Sequence, residues 1–301
     1  MDGLRANALP TTDEFAWARQ RRADIRAAGG ILDLVLPLRD GGDGAPLFCL
    51  PPLVGASWCY LALLPHLDAA HPVYGLQSRG LRRPEPLPVD LAEVARDWAD
   101  LIRATSPGPH HLFGWSLGAN TAHAVAEELQ RRGDEVALLV VGDATPDLPH
   151  GLGVGDDNLW LLCDFVLREF GYQPVVEPDD PDPVGRLVEA VRGRPGLGLS
   201  EWPDRRLRAL PRVIRHSIAV AQRHEAGLVR CPVLFLSATR SRRSTEAKVA
   251  AWDGHLDGPV EVVEVDCEHE HMLLPRPVAA IGAAVGARMT PRGGAPTRPK
   301  A

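Results

Sequence analysis

The stretch HLFGWSLGANTAHAVAEELQRRG, residues 111–133, decides the fold. It opens on an apolar, strand-like run. Ala119, Ala122, Val125, Ala126 and Leu129 then recur at helical spacing. Between the two lies Gly114-Trp115-Ser116-Leu117-Gly118. A sharp turn from strand to helix lifts one side chain to the carboxyl end of a sheet, and its neighbours must be small because strand, turn and helix approach closely. Gly114 and Gly118 supply that room around Ser116. The helix N-terminus that follows offers partial positive charge to an oxyanion.

The rest of the chain repeats this rhythm. Apolar runs LFCL (47–50), VYGL (73–76), HLFG (111–114), EVALLVVG (135–142), PVLFLS (232–237) and VEVVEV (260–265) read as strands. Leu91, Val94, Ala95, Trp98, Leu101 and Ile102 mark another helix. This alternation predicts a doubly wound, mostly parallel α/β sheet with helices on both faces. Residues 148–227 break it with three helical patterns, Leu159–Phe170, Val184–Val191 and Leu207–Ala221. They are expected to form an inserted lid over one end of the sheet. Residues 1–35 read as an N-terminal extension or linker with one helix in DEFAWARQRRADIRAAGG. Residues 36–290 read as one domain, and the Pro/Gly/Arg-rich 291–301 as a disordered tail.

A serine hydroxyl is a poor nucleophile near neutral pH and needs a base and a group to orient that base. In this architecture the acid follows the strand after the elbow helix. Asp143 stands directly after EVALLVVG, with Asp147 as the fallback. The base belongs after the last strand, where CEHEHMLLPRP holds both His269 and His271; if that segment is extended the two point the same way, and spacing does not separate them. An oxyanion hole needs two backbone N–H groups. Leu117 supplies one. Leu53, the first residue after the prolines of LPPLVGASWCY able to donate, supplies the other.

Composition narrows the classes. The 301 residues are 45% apolar and 24% charged with a net charge of −6, which fits a soluble globular protein with a sizeable core and argues against nucleic acid or an anionic membrane as partner. No apolar run approaches the roughly 20 residues of a membrane span, and the polar start lacks a signal-peptide pattern. The five unclustered cysteines (49, 59, 163, 231, 267) read as buried thiols of a cytoplasmic protein, with neither disulfide nor metal expected.

Four blocks carry a family resemblance: APLFCLPPLVGASWCY, VYGLQSRG, HLFGWSLGANTAHAVAEELQRRGDEVALLVVGDATPD and VDCEHEHMLLPRP. Together they resemble the type I thioesterase domain of a nonribosomal peptide synthetase, or less closely that of a polyketide synthase, within the α/β-hydrolase superfamily. The 27-residue interval from Ser116 to Asp143 is similar to that family's serine-to-aspartate interval. Its base lies in a G-x-H-x-x-M segment, which His269 and Met272 match and His271 does not. Here Cys267 replaces the usual glycine, and Glu268 and Glu270 flank the histidine.

The resemblance implies a Ser116-Asp143-His269 triad, with Leu53 and Leu117 at the oxyanion. It implies a peptidyl or acyl thioester presented on the phosphopantetheine of a peptidyl carrier protein, no other cofactor, and a monomer. Trp160, Phe165, Leu207 and Ile214 are candidates to face the acyl chain from the lid. Release by hydrolysis and by macrocyclisation both fit. Met1 and the 45-residue lead-in suit a free-standing editing thioesterase, whereas LPLRDGGDGAPLFCL resembles the approach to a domain fused to a synthetase. A general esterase of the same fold is the other enzymatic reading. A binding module that has lost its chemistry fits poorly, because every triad residue type is present.

Overall fold

Near-continuous apolar runs can be buried on both faces only inside a parallel sheet covered by helices, and such a sheet forms. A computed structural model describes residues 34–81, 84–148, 158–195 and 199–289. The expected helix at 13–30 and the expected tail lie outside them. Seven strands pair in one sheet: β1 (Val35–Arg39), β2 (Leu47–Leu50), β3 (Val73–Leu76), β4 (His110–Trp115), β5 (Val136–Gly142), β6 (Val233–Ala238) and β7 (Val260–Val265). Their order is β1-β3-β2-β4-β5-β6-β7, and every pairing is parallel except β1 with β3.

Strand β1 was not among the strands expected from sequence. Pro37 interrupts it, and a proline is tolerated at a sheet edge because one side of the strand has no ladder to supply. Leu36 and Leu38 still turn inward and are fully buried. The other six strands fall where the apolar runs lie, within a residue at each end.

One face of the sheet is covered by α1 (Leu91–Thr105) and α2 (Leu117–Arg131). Helix α1 begins where Asp90 accepts from the Glu93 N–H at 2.6 Å and Glu93 accepts from the Val89 N–H at 2.7 Å, which satisfies two otherwise orphan donors. Its buried stripe is Leu91, Ala95, Trp98, Ala99 and Ile102.

The opposite face packs against a 3-10 segment, Trp58–His66, and the C-terminal helix α7 (Pro275–Gly286). The inserted segment between β5 and β6 holds α3 (Leu159–Glu169), α4 (Pro183–Arg192) and α5 (Asp204–Gln222). Its core residues join one cluster with Tyr60, Trp115, Cys267 and Met272, so the insertion covers the carboxyl end of the central strands. A short helix α6 (Thr245–Ala250), also not expected, follows β6. Among the described residues no helix is long and apolar enough to cross a membrane. All five cysteines are buried free thiols.

The core also holds imidazoles. His111 and His123 are buried, and burial pulls each from the ordinary 6.5 down to about 4. His123 Nε2–H donates to the His255 carbonyl at 3.1 Å, leaving Nδ1 as a bare lone pair, which suits the neutral ring. The unfolded chain therefore binds these protons more tightly than the folded one. Their contribution is intact above pH 6.5 and is lost as pH falls from 6.5 to about 4, by up to roughly 3 kcal/mol per ring. Thermal unfolding followed across that window will show a falling melting temperature. His123→Leu will flatten the slope, and an unchanged slope would rule this cause out for His123.

Candidate active site

The parallel registers bring four strand ends into line. Leu50 pairs with Gly114, Trp115 with Gly142, and Gly142 with Leu236. The side chains that follow these ends therefore converge on one edge of the sheet.

Ser116 sits at that edge with φ 58° and ψ −132°, a backbone conformation that a residue with a side chain adopts only under constraint. Its N–H donates to the Gly142 carbonyl at 2.9 Å, and its carbonyl accepts from Ala119 N–H at 2.8 Å. The turn is tight enough to need both glycines. A Cβ on Gly114 would lie 2.0 Å from the Gly118 carbonyl oxygen, and one on Gly118 would lie 2.6 Å from the Leu50 oxygen. The close approach at Gly118 also draws the loop after β2 onto the start of α2. Leu117 begins that helix, and Leu53 lies in the turn closed by Gly55 N–H to the Pro52 carbonyl at 2.8 Å.

His269 reaches Ser116 from the segment after β7. Its Nδ1 lies 2.7 Å from Asp143 Oδ2 and its Nε2 lies 3.0 Å from Ser116 Oγ. A carboxylate only accepts, so Nδ1 carries the hydrogen. Nε2 of the neutral ring then accepts from the serine hydroxyl. The side chain of His269 keeps 36% of its surface exposed, whereas that of Asp143 keeps 2%. Trp115 lies against the imidazole at 5.5 Å between ring centroids, and its indole N–H donates to the His269 carbonyl at 3.2 Å.

His271 goes elsewhere. Residues His269–His271 form a 3-10 turn rather than an extended segment, so residues two apart point in different directions. His271 faces Glu268 at 3.6 Å. Asp147 is joined to Thr145 through its backbone carbonyl, 3.0 Å from the threonine hydroxyl. The lid candidates also separate. Leu207 and Ile214 have no exposed surface and pack in the core, which corrects the expectation that they face an acyl chain. Trp160 and Phe165 are partly buried against that same core. From α5 it is Val213, His216, Ser217 and Val220 that line a cavity shared with Pro51, Leu117 and Thr121.

Two neighbours of the Ser116–His269–Asp143 row escaped the sequence reading. The Tyr60 hydroxyl donates to the Leu50 carbonyl at 2.7 Å and accepts from the Trp115 N–H at 3.0 Å, tying the loop after β2 to the elbow. The Lys248 ammonium donates to Asp143 Oδ1 at 2.6 Å. That same oxygen accepts from the Ala238 N–H at 2.9 Å. Burial alone pushes the Asp143 carboxyl up, but the bonds from His269 and Lys248, helped by Ala238, outweigh it and hold the group below its usual range. Among the described residues no cluster of three or more His, Cys, Asp or Glu could hold a metal ion.

The family model "Thioesterase domain" matches residues 45–155. A dimodular nonribosomal peptide synthase of Bacillus subtilis (strain 168) is 34% identical over 273 residues, covering 89% of this chain and 11% of that protein. Malpibaldin synthetase of Mortierella alpina is 31% identical, over 85% of this chain and 4% of its own length. The chain thus spans a small part of the curated relatives it matches.

Among solved structures, a four-domain nonribosomal peptide synthetase bound to AMP and glycine superposes with a TM-score of 0.75 at 20% identity, over 85% of this chain and 20% of that one. The type II thioesterase BorB from the borrelidin biosynthetic cluster gives a TM-score of 0.61 at 25% identity, over 85% of this chain and 98% of that one.

The elbow contacts set two measurable costs. Gly118→Ala forces α2 away from the loop after β2 and will cost about 2 kcal/mol or more of unfolding free energy in a denaturant titration. Tyr60→Phe leaves the buried Trp115 N–H without its acceptor and will cost about 1–3 kcal/mol. Wild-type stability in either variant would show that the contact does not constrain the fold.

Proposed function

Since this chain belongs to the thioesterase-domain family and has the α/β-hydrolase fold, we propose that it releases a peptidyl or acyl chain from the phosphopantetheine thioester of a carrier protein, through an acyl-enzyme on Ser116. Residues 36–290 are the working unit. The observation that carries this reading is the hydrogen-bonded row Ser116–His269–Asp143, at 3.0 and 2.7 Å, on the carboxyl edge of the sheet.

The hydrogen-bonded row supports the following steps. Ser116 Oγ attacks the thioester carbonyl carbon while its proton passes to His269 Nε2. Asp143 holds the ring in the tautomer that can accept that proton and stabilises the imidazolium that forms. The Leu53 and Leu117 N–H groups hold the tetrahedral oxyanion, a contribution of ~3 kcal/mol per donor in comparable sites. The C–S bond breaks, the departing sulfur takes the proton from His269, and the acyl group stays on the serine. Water, or an amine or hydroxyl of the same chain, then attacks the ester. It gives its proton to His269, which returns it to Ser116 as acid or macrocycle departs.

The second reading is editing in trans, in which the enzyme clears stalled acyl groups from carriers; the likeness to a type II thioesterase is consistent with it, at a TM-score equal to that of the Vlm2 thioesterase domain. The two readings share the site and differ in the acyl group preferred, peptidyl for release and short acyl for editing.

Intact-protein mass spectrometry after incubation with short peptidyl thioesters, simple acyl thioesters and matched oxygen esters tests both. An adduct is expected on the wild type and none on Ser116→Ala. His269→Ala will lower the acylation rate by about 10³-fold or more, while His271→Ala will stay within about twofold of wild type, an expectation resting on its position off the row. An adduct surviving on Ser116→Ala would remove this nucleophile. Faster turnover of oxygen esters than thioesters would make the protein a general esterase.

A further inference from the structure

Lys248 and Lys300 are the only lysines among 33 basic residues. Lys248 lies on α6, a helix of only six residues, and is 3% exposed. Lysine is almost never buried unless its charge is paired, because the ammonium loses its hydration. Here all three ammonium donors have acceptors: Asp143 Oδ1 at 2.6 Å, the Ala238 carbonyl at 2.8 Å and Ser237 Oγ at 3.2 Å. Its helix is anchored by the Ser237–Thr245 hydroxyl pair at 2.9 Å and capped where Ser244 accepts from the Ala247 N–H at 3.3 Å.

The two oxygens of Asp143 divide their partners. Oδ2 meets His269 and Oδ1 meets Lys248 and the Ala238 N–H. This matters in the resting state. When His269 is neutral, Lys248 is the one cation among the described residues in contact with the buried carboxylate, and an uncompensated buried charge is costly. The remaining charged and titratable groups around the site do not replace the ammonium. Cys267 is a buried thiol pushed up to about 11, so it is neutral near pH 7. Arg240 is committed to Asp266 at 2.8 Å. Arg242 and Arg243 are exposed and line the rim of the cavity that reaches Asp143, Lys248 and His269. Glu268 and Glu270 flank His269 and add negative charge, Glu268 facing His271.

We propose that Lys248 is a positioning residue for the acyl transfer: its ammonium fixes the Asp143 carboxylate in the orientation that holds His269 and offsets the buried negative charge, so that His269 meets Ser116 as the neutral base. This rests on the Ser116 acyl-transfer reading above. A compact ammonium suits the task, since one lysine nitrogen meets three acceptors converging from one strand end and Asp143, where a planar guanidinium would need a wider, flatter site. Removing the positive charge strengthens the hold of Asp143 on a proton at His269. The base form is then reached only at higher pH.

The test is the pH dependence of kcat/KM on N-acetylcysteamine thioesters of short peptides, for the full chain and for Lys248→Met and Lys248→Gln. The acid limb is expected to move up by about one pH unit, with kcat at pH 7 down about tenfold and KM changed by less than about twofold. An acid limb that coincides with wild type in either folded variant overturns the role. Should neither variant fold, the wild-type protein decides: with lysine labelled at Cε with ¹³C, one of its two signals is expected to shift when Ser116 is phosphonylated by a fluorophosphonate. Two unmoved signals overturn the role. A wild-type protein that forms no adduct on Ser116 with thioester or fluorophosphonate would instead overturn the acyl-transfer reading, which separates the two failures.

Discussion

The backbone of the elbow approaches its neighbours so closely that no side chain fits at Gly114 or Gly118, and the rest of the molecule is arranged around that contact. A methyl group at Gly114 would sit 2.0 Å from the carbonyl oxygen of Gly118. Strand β4, helix α2 and the loop after β2 are thereby locked together. Ser116 has to accept a positive φ, held by its N–H bond to Gly142. Strain of this kind persists only where the surroundings over-determine the backbone. The Tyr60 hydroxyl adds to that determination by bridging Leu50 and Trp115.

Electrostatics poses a second problem, because the Asp143 carboxylate beside His269 is buried. Asp143 also carries a positive φ of 49°, and its side chain keeps 2% of its surface exposed. The price of that burial is met by three donors from separate elements: His269 after β7, Ala238 at the end of β6, and Lys248 on α6. Parallel strand ends place these donors side by side, which is why an open α/β sheet concentrates its polar chemistry there. His269 alone of the pair keeps substantial exposure, and the row thus runs from a buried charge to a group open to solvent.

Much of the architecture is legible in the chain because it is local. Parallel strands buried on both faces read as short apolar runs, and α1 and α2 show their stripes at helical spacing. The departures have local causes too. Strand β1 carries Pro37, which argues against a central strand and says nothing against an edge. The inserted helices were legible as helices, yet amphipathic spacing does not distinguish a residue facing a neighbouring helix from one facing a ligand. Leu207 and Ile214 proved to face the core.

By itself the sequence located the elbow at Ser116, Asp143 after the next strand and the two histidines after the last strand. These depend on glycine's freedom, on periodicity and on chain order, all carried by neighbouring residues. Residue spacing left His269 and His271 open and the family resemblance pointed to His269; the contact with Ser116 itself depends on a 3-10 turn at His269–His271 and spans 153 residues of chain. Only the tertiary structure set Lys248 against Asp143 across 105 residues. No spacing rule encodes such a pair. The ammonium and the carboxylate meet because β5, β6 and α6 pack together, and the low dielectric at that edge leaves neither charge tolerable without the other.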